Sequence, residues 1–222
     1  MSTETARPRG KGEQALAGDR RALTKGERQR RAILDSLVTL LATRSLGELT
    51  VGDIATHAGV RRSGFYFYFE SKYSALAVAT SEIWTELMDR AQFFTRIDGE
   101  TAAEFLRRIA EPTVQMWRTH EAVLVASIQA IPDDDQLAQM WTTWNKRLAA
   151  ILTDQVLSER DLGRAHPVSQ DIPTLVSTLL SMTMHMLYLD RLNRCDPPQT
   201  RIMLDTLRDI WLASVWGSGL SA

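Results

Sequence analysis

Apolar residues in this chain recur at spacings of three and four, and nowhere alternate with period two for long. That excludes a sheet-based architecture and predicts an all-α fold of about nine helices separated by Gly, Pro and Asp breakers. Ile33, Leu34, Leu37, Leu40 and Leu41 share one face of a first helix that starts at Thr24 and ends at Ser45-Leu46-Gly47. Thr50 caps a second helix over 51–57, and a third follows over 61–67. Beyond it the pattern predicts helices over 71–94, 101–118 (kinked at Pro112), 121–131, 135–160, 171–191 and 199–216. Pro132-Asp133-Asp134, the stretch 163–170 and Pro197-Pro198 separate the last four.

A chain of 222 residues with 44% hydrophobic and 24% charged residues can build a core without a disulfide or metal scaffold. Its one cysteine, Cys195, excludes an internal disulfide. The start of the chain is polar and basic with no apolar h-region, and no apolar run reaches the roughly 18 residues that a membrane span needs. These features predict a soluble, cytoplasmic protein. The net charge of −1 conceals an asymmetry: residues 1–72 carry a balance of +5 and residues 73–222 one of −6. A basic head on an acidic body suits a polyanion-binding module joined to a body with another task. The expected division is a disordered basic arm over 1–22, a helical head over 23–72 and a body over 73–222.

The segment TVGDIATHAGVRRSGFYFYFESK, residues 50–72, carries the chemistry. Two short helices meeting at a steep angle need a small residue where their axes approach, a glycine in the turn and apolar plugs. Ala55, Gly59 and the set Ile54, Ala58, Val60 and Phe65 supply them. Five residues of FYFYF cannot all point inward from so short a helix. Phe65 and Phe69 share one face, which leaves aromatics exposed beside Arg61 and Arg62. A small helix presenting arginines and exposed aromatic rings suits the DNA major groove. Lys72, at the start of the next helix, is placed to meet a phosphate.

The run from Ile33 to Leu76 resembles the DNA-binding domain of TetR-type transcriptional regulators, through T-V-x-D-I-A-x-x-A-G-V, the aromatic pair, F and S-K. FYFYF, W-T-T-W at 141–144 and L-D-T-L-R-D-I-W at 204–211 are similar to the EthR-like subgroup of that family. Together with the reading above, the resemblance implies DNA contacts from Arg28, Thr50, Arg61, Arg62, Ser63, Gly64, Tyr66, Phe67, Tyr68 and Lys72. Arg61 stands where the family usually places Ser or Thr, and Gly64 replaces the usual Thr or Ser. All six tryptophans lie in the body. The resemblance places Phe105, Trp117, Trp141, Asn145, Leu148, Thr183, Tyr188 and Trp211 on or near the lining of an effector pocket. It also implies a homodimer through Leu175, Leu179, Met182 and Met186 on one helix, and Met203, Leu207, Ile210 and Ser214 on the next. The implied protein is a cytoplasmic bacterial repressor, associated with the nucleoid when bound to a palindromic double-stranded operator. An apolar or aromatic small molecule releases it, with no cofactor, metal or membrane involved.

An enzyme is the rival class, and the sequence argues against one. His57, His120, His166 and His185 are scattered, without a nucleophile–base or Gly-rich phosphate motif. Asp133-Asp134-Asp135 is explained by helix capping, and Met182-Thr183-Met184-His185-Met186 by methionine as a packing residue rather than a soft-metal ligand. A carrier of apolar molecules without operator binding is the other alternative, and it leaves the basic head unexplained.

Overall fold

The computed structural model describes residues 24–217, so the predicted arm over 1–22 lies outside the described residues. Within them the chain is all-α, with nine α-helices and no strand. These are α1 (Lys25–Leu41), α2 (Val51–His57), α3 (Arg62–Tyr68), α4 (Lys72–Met88), α5 (Ala102–Thr119), α6 (Glu121–Gln129), α7 (Asp135–Asp161), α8 (Ile172–Leu192) and α9 (Pro197–Trp211). Short 3-10 turns occupy Leu46–Glu48, Ala91–Phe94 and Ile131–Asp133, and a π turn over Leu212–Trp216 follows α9.

Helix starts follow local chemistry. Thr24, Thr50, Ser71, Thr101 and Asp196 each cap a helix, and the backbone N–H of each donates in return to the side chain three positions on. Asp134 and Asp171 cap α7 and α8. Three boundaries depart from the sequence expectation. α1 ends at Leu41, because Ser45 and Glu48 form their own box around the 3-10 turn and Gly47 closes nothing. α4 stops at Met88 rather than continuing to 94: the Arg108 guanidinium donates to the carbonyls of Phe93 and Thr95, both at 3.0 Å, and holds that segment against α5. α9 starts at Pro197, since prolines in a first turn lack only N–H groups that have no helical partner there.

Head and body share one continuous core. Ile33, Leu37, Ile54, Phe65 and Leu76 are fully buried where α1–α4 meet. α4 packs on α1 at the head and on α6 and α7 in the body, so it links the two mechanically. In the body, the carboxylate of Glu159 (1% exposed) sits between Arg96 at 2.7 Å and Arg164 at 2.8 Å. This buried charge is paired, as burial requires. α8 corrects one expectation: by length and composition it is apolar enough to cross a membrane. Here it packs against α5, α6, α7 and α9.

Candidate functional site

The turn between α2 and α3 is a Schellman motif. Val60 N–H donates to Ala55 O at 3.0 Å and Gly59 N–H to Thr56 O at 3.1 Å, with Gly59 at φ 66°. This turn directs α3 across α2, where Phe65 is fully buried as its anchor. The other face of α3 points away from the protein. Arg61, Arg62 and Ser63 are exposed, Tyr66 is 47% exposed and Phe67 81%. Arg61 is the extended N-cap of α3 and makes no side-chain cap bond, so its guanidinium is left for other partners. Arg62 lies 5.8 Å over the Tyr66 ring and reaches the phenol oxygen at 3.5 Å, which joins cation and aromatic into one surface. Arg28 is exposed on α1.

Other residues of the candidate set are engaged internally. Lys72 donates its Nζ protons to Leu46 O at 2.7 Å and Leu49 O at 2.9 Å, clamping the loop before α2 onto the start of α4. Tyr68 is half-buried and donates from Oη to Gln29 Oε1 at 3.1 Å, tying α3 to α1. Thr50 bonds to Asp53 through both backbone and hydroxyl, and these bonds hold the Asp53 carboxyl below its ordinary range. Gly64 is half-buried beside Val60. The exposed residues of the α3 candidate set are therefore Arg61, Arg62, Ser63, Tyr66 and Phe67.

The body holds an apolar cavity of about 110 Å³ between α4, α5, α7, α8 and α9. Of the eight candidate ligand residues it brings together Phe105, Leu148, Thr183 and Trp211. Trp117, Trp141, Asn145 and Tyr188 do not line it, and for the first three the reason is axial position. Trp117 lies one turn beyond the lining residue Thr113, and Trp141 two turns before Leu148. Asn145 lies about one turn before Leu148, whereas Tyr188 directly follows the lining residue Leu187 and is turned about 100° from it around α8. Trp141 instead packs edge-on to Trp84, with ring centres 5.4 Å apart, and donates from Nε1 to Ser127 Oγ at 3.2 Å. Trp84 also stacks with Trp144, so the indoles plug the space into which the sequence extended the pocket.

Polar groups are few around the cavity. Thr183 Oγ1 accepts from Trp211 Nε1 at 3.0 Å and donates to Leu179 O at 2.8 Å. Gln155 and Thr113 complete the polar lining on α7 and α5, Arg208 that on α9. The indole N–H of Trp216, buried and without a protein acceptor, also belongs to a lining residue. The sequence reading missed Thr113, Gln155 and Arg208. Thr113 and Gln155 were legible as continuations of the Phe105 and Leu148 faces at spacings of eight and seven.

The candidate dimer stripe divides. Leu179 and Leu207 are buried within the single chain, Leu207 as part of the cavity wall, so they complete its own core. Leu175, Met182, Met186, Met203 and Ser214 are half-buried, and Ile210 is 37% exposed. Ile202, at 68% exposed, stands two turns before Ile210 and extends the apolar face of α9.

Residues 33–78 match bacterial regulatory proteins of the tetR family, and residues 106–217 match the C-terminal domain of the transcriptional regulator EthR. The chain is similar to the HTH-type transcriptional regulator EthR of Mycobacterium tuberculosis (strain ATCC 25618 / H37Rv), with 28% identity over 203 residues, 90% of this chain and 93% of that one. EthR of Mycolicibacterium smegmatis is 26% identical over 223 residues, covering 98% and 96% of the two chains. Among solved structures, a tetR-family regulator from Streptomyces coelicolor superposes with a TM-score of 0.62 at 19% identity, over 84% of this chain and 80% of that one. Salmonella enterica GusR does so at 0.63 and 20%, over 86% and 97%. At these identities the two structures speak for the fold alone.

Proposed function

The chain belongs to the TetR family of bacterial transcriptional regulators, in its EthR-like branch, and from that premise we propose a homodimeric repressor released from a palindromic operator by an apolar small molecule. The observation that carries this reading is the outer face of α3. Phe65 anchors the helix from within, while Arg61, Arg62, Ser63, Tyr66 and Phe67 are solvent-exposed, the arrangement a major-groove reader needs. Arg28, on the adjoining helix, supplies charge for the DNA backbone. Two such heads related by a two-fold axis call for a palindromic site, and the partly exposed apolar flanks of α8 and α9 supply a helix-pairing surface for the second copy.

In this reading the effector occupies the cavity whose wall includes Phe105, Leu148, Thr183 and Trp211. Its occupation biases α4, which reaches from the cavity residue Leu87 to the Lys72 clamp in the head. The effector acts only through its different affinity for the two head spacings.

The test is selection of DNA fragments by the purified protein, followed by fluorescence-anisotropy titration of the winner across salt concentrations. A palindromic winner whose affinity falls steeply with log salt supports the reading. Weak, sequence-blind binding overturns it. Addition of apolar compounds to the bound probe then tests release.

A further inference from the structure

The body cavity does not end at its apolar wall. Leu106, Ala110, Leu204 and Arg208 line both the cavity and a groove of about 430 Å³ between α5 and α9. The groove carries Arg107 and Arg118 on α5 and Arg201 and Arg208 on α9, against Glu111 and Asp205. Arg208 is already taken: its guanidinium bonds Asp205 at 2.6 Å and Asp209 at 2.8 Å. Arg107, Arg118 and Arg201 are exposed and form no salt bridge among the described residues. A cationic groove is out of keeping with a body whose balance is −6.

Position along the helices orders these charges. Arg107 adjoins Leu106, at the end shared with the cavity. Arg118 is eleven residues further along α5, about 16 Å at the rise of an α-helix. Arg201 stands seven residues, two turns, before Arg208. On α9 the three positions 201, 205 and 208 share a flank opposite Ile210, with Ile202 at its edge. A dimer contact centred on Ile210 therefore leaves that flank open.

We propose that the body binds an amphipathic anion, with an apolar chain in the cavity and a carboxylate or phosphate head at Arg107, and with any further charge on the head reaching Arg118 and Arg201. Guanidinium groups suit such heads because they pair with carboxylate and phosphate oxygens in a fork geometry. The proposal rests on the reading that the cavity takes the effector and adds the chemistry of its head group.

Calorimetric titration of the full-length protein with octanol, octanoate, octyl phosphate and octyl diphosphate tests it. The anions are expected to bind about tenfold more tightly than octanol, with an advantage that shrinks as salt rises. Octanoate against octyl phosphate distinguishes a carboxylate from a phosphate source. The triple variant Arg107→Gln, Arg118→Gln, Arg201→Gln should bring the anion-to-octanol affinity ratio close to one, and circular dichroism checks that it folds. Octanol binding as tightly as the anions, or a ratio that persists in the triple variant, overturns the proposal and leaves the apolar-effector reading standing. Failure of all four ligands to bind overturns both.

Discussion

Two glycines five positions apart show how differently one residue type can be constrained. Gly59 holds φ 66° in the Schellman turn, where a Cβ meets no neighbour but the backbone itself is strained for any L side chain. Gly59→Ala is expected to destabilise the protein by about 1–2 kcal/mol. Gly64 is helical, and a Cβ there would stand 3.8 Å from Val60 Cβ, an ordinary contact. Gly64→Ala is expected to stabilise by about 0.5–1 kcal/mol, since glycine loses more conformational freedom in a helix. Urea unfolding of the two variants should give opposite signs. At the same scale, Tyr66→Ala should weaken operator binding by about 1–3 kcal/mol if the stacked Arg62–Tyr66 pair reads the groove. Unchanged affinity in an anisotropy titration would remove Tyr66 from the reader. That Phe65 and Phe69 share the inward face was legible because 3.6-residue periodicity decides it. The Tyr68–Gln29 bond was not, since it joins residues 39 apart.

At the scale of elements, Lys72 changes role. Its sequence position suggested a phosphate contact, whereas its ammonium bonds two carbonyls that precede α2. Lys72→Met should therefore lower operator affinity by loosening α2 against α4, with the slope of log affinity against log salt unchanged. A slope shallower by about one unit would restore a phosphate role. Capping supplies the second element-scale prediction. The carboxyls of Glu27, Asp53 and Glu104 are held below their ordinary range, first by the backbone N–H of Thr24, Thr50 and Thr101 and then by the hydroxyls of the same residues. A lowered folded-state pKa contributes stability that is complete above the unfolded value and is lost as pH falls through the folded one. The thermal midpoint is thus expected to fall below about pH 4, where carboxylates ordinarily take up protons. Replacing Glu27 and Glu104 by glutamine should flatten that fall, and an unchanged pH profile would sink the assignment.

At the scale of the molecule, α4 joins the head core to a cavity-lining residue, Leu87, within one helix. Any displacement of α4 moves Lys72 and, through the clamp, the loop that leads into α2. The partner surface is testable separately. Ile202 and Ile210 leave an apolar flank on α9 that a second copy would cover. Ile210→Asp is expected to convert a dimer to a monomer in sedimentation velocity while the thermal midpoint stays close to wild type, because the residue is not part of the chain's own core. Persistence of the dimer would move the interface off α9.

Amino-acid order alone determined the helical class, most of the caps, the Gly59 turn, the shared inward face of Phe65 and Phe69 and the exposure of some of the rings between them. Each depends on periodicity or on bonds spanning three or four residues. Tertiary packing decided what those short-range signals cannot carry. It ended α4 at Met88, ahead of the segment that Arg108 holds by the Phe93 and Thr95 carbonyls, turned Lys72 inward, and closed the pocket with Trp141 against Trp84. A stripe on a helix shows which face is apolar. How far along that face an empty space extends depends on side chains from other helices, and only the folded chain brings them together.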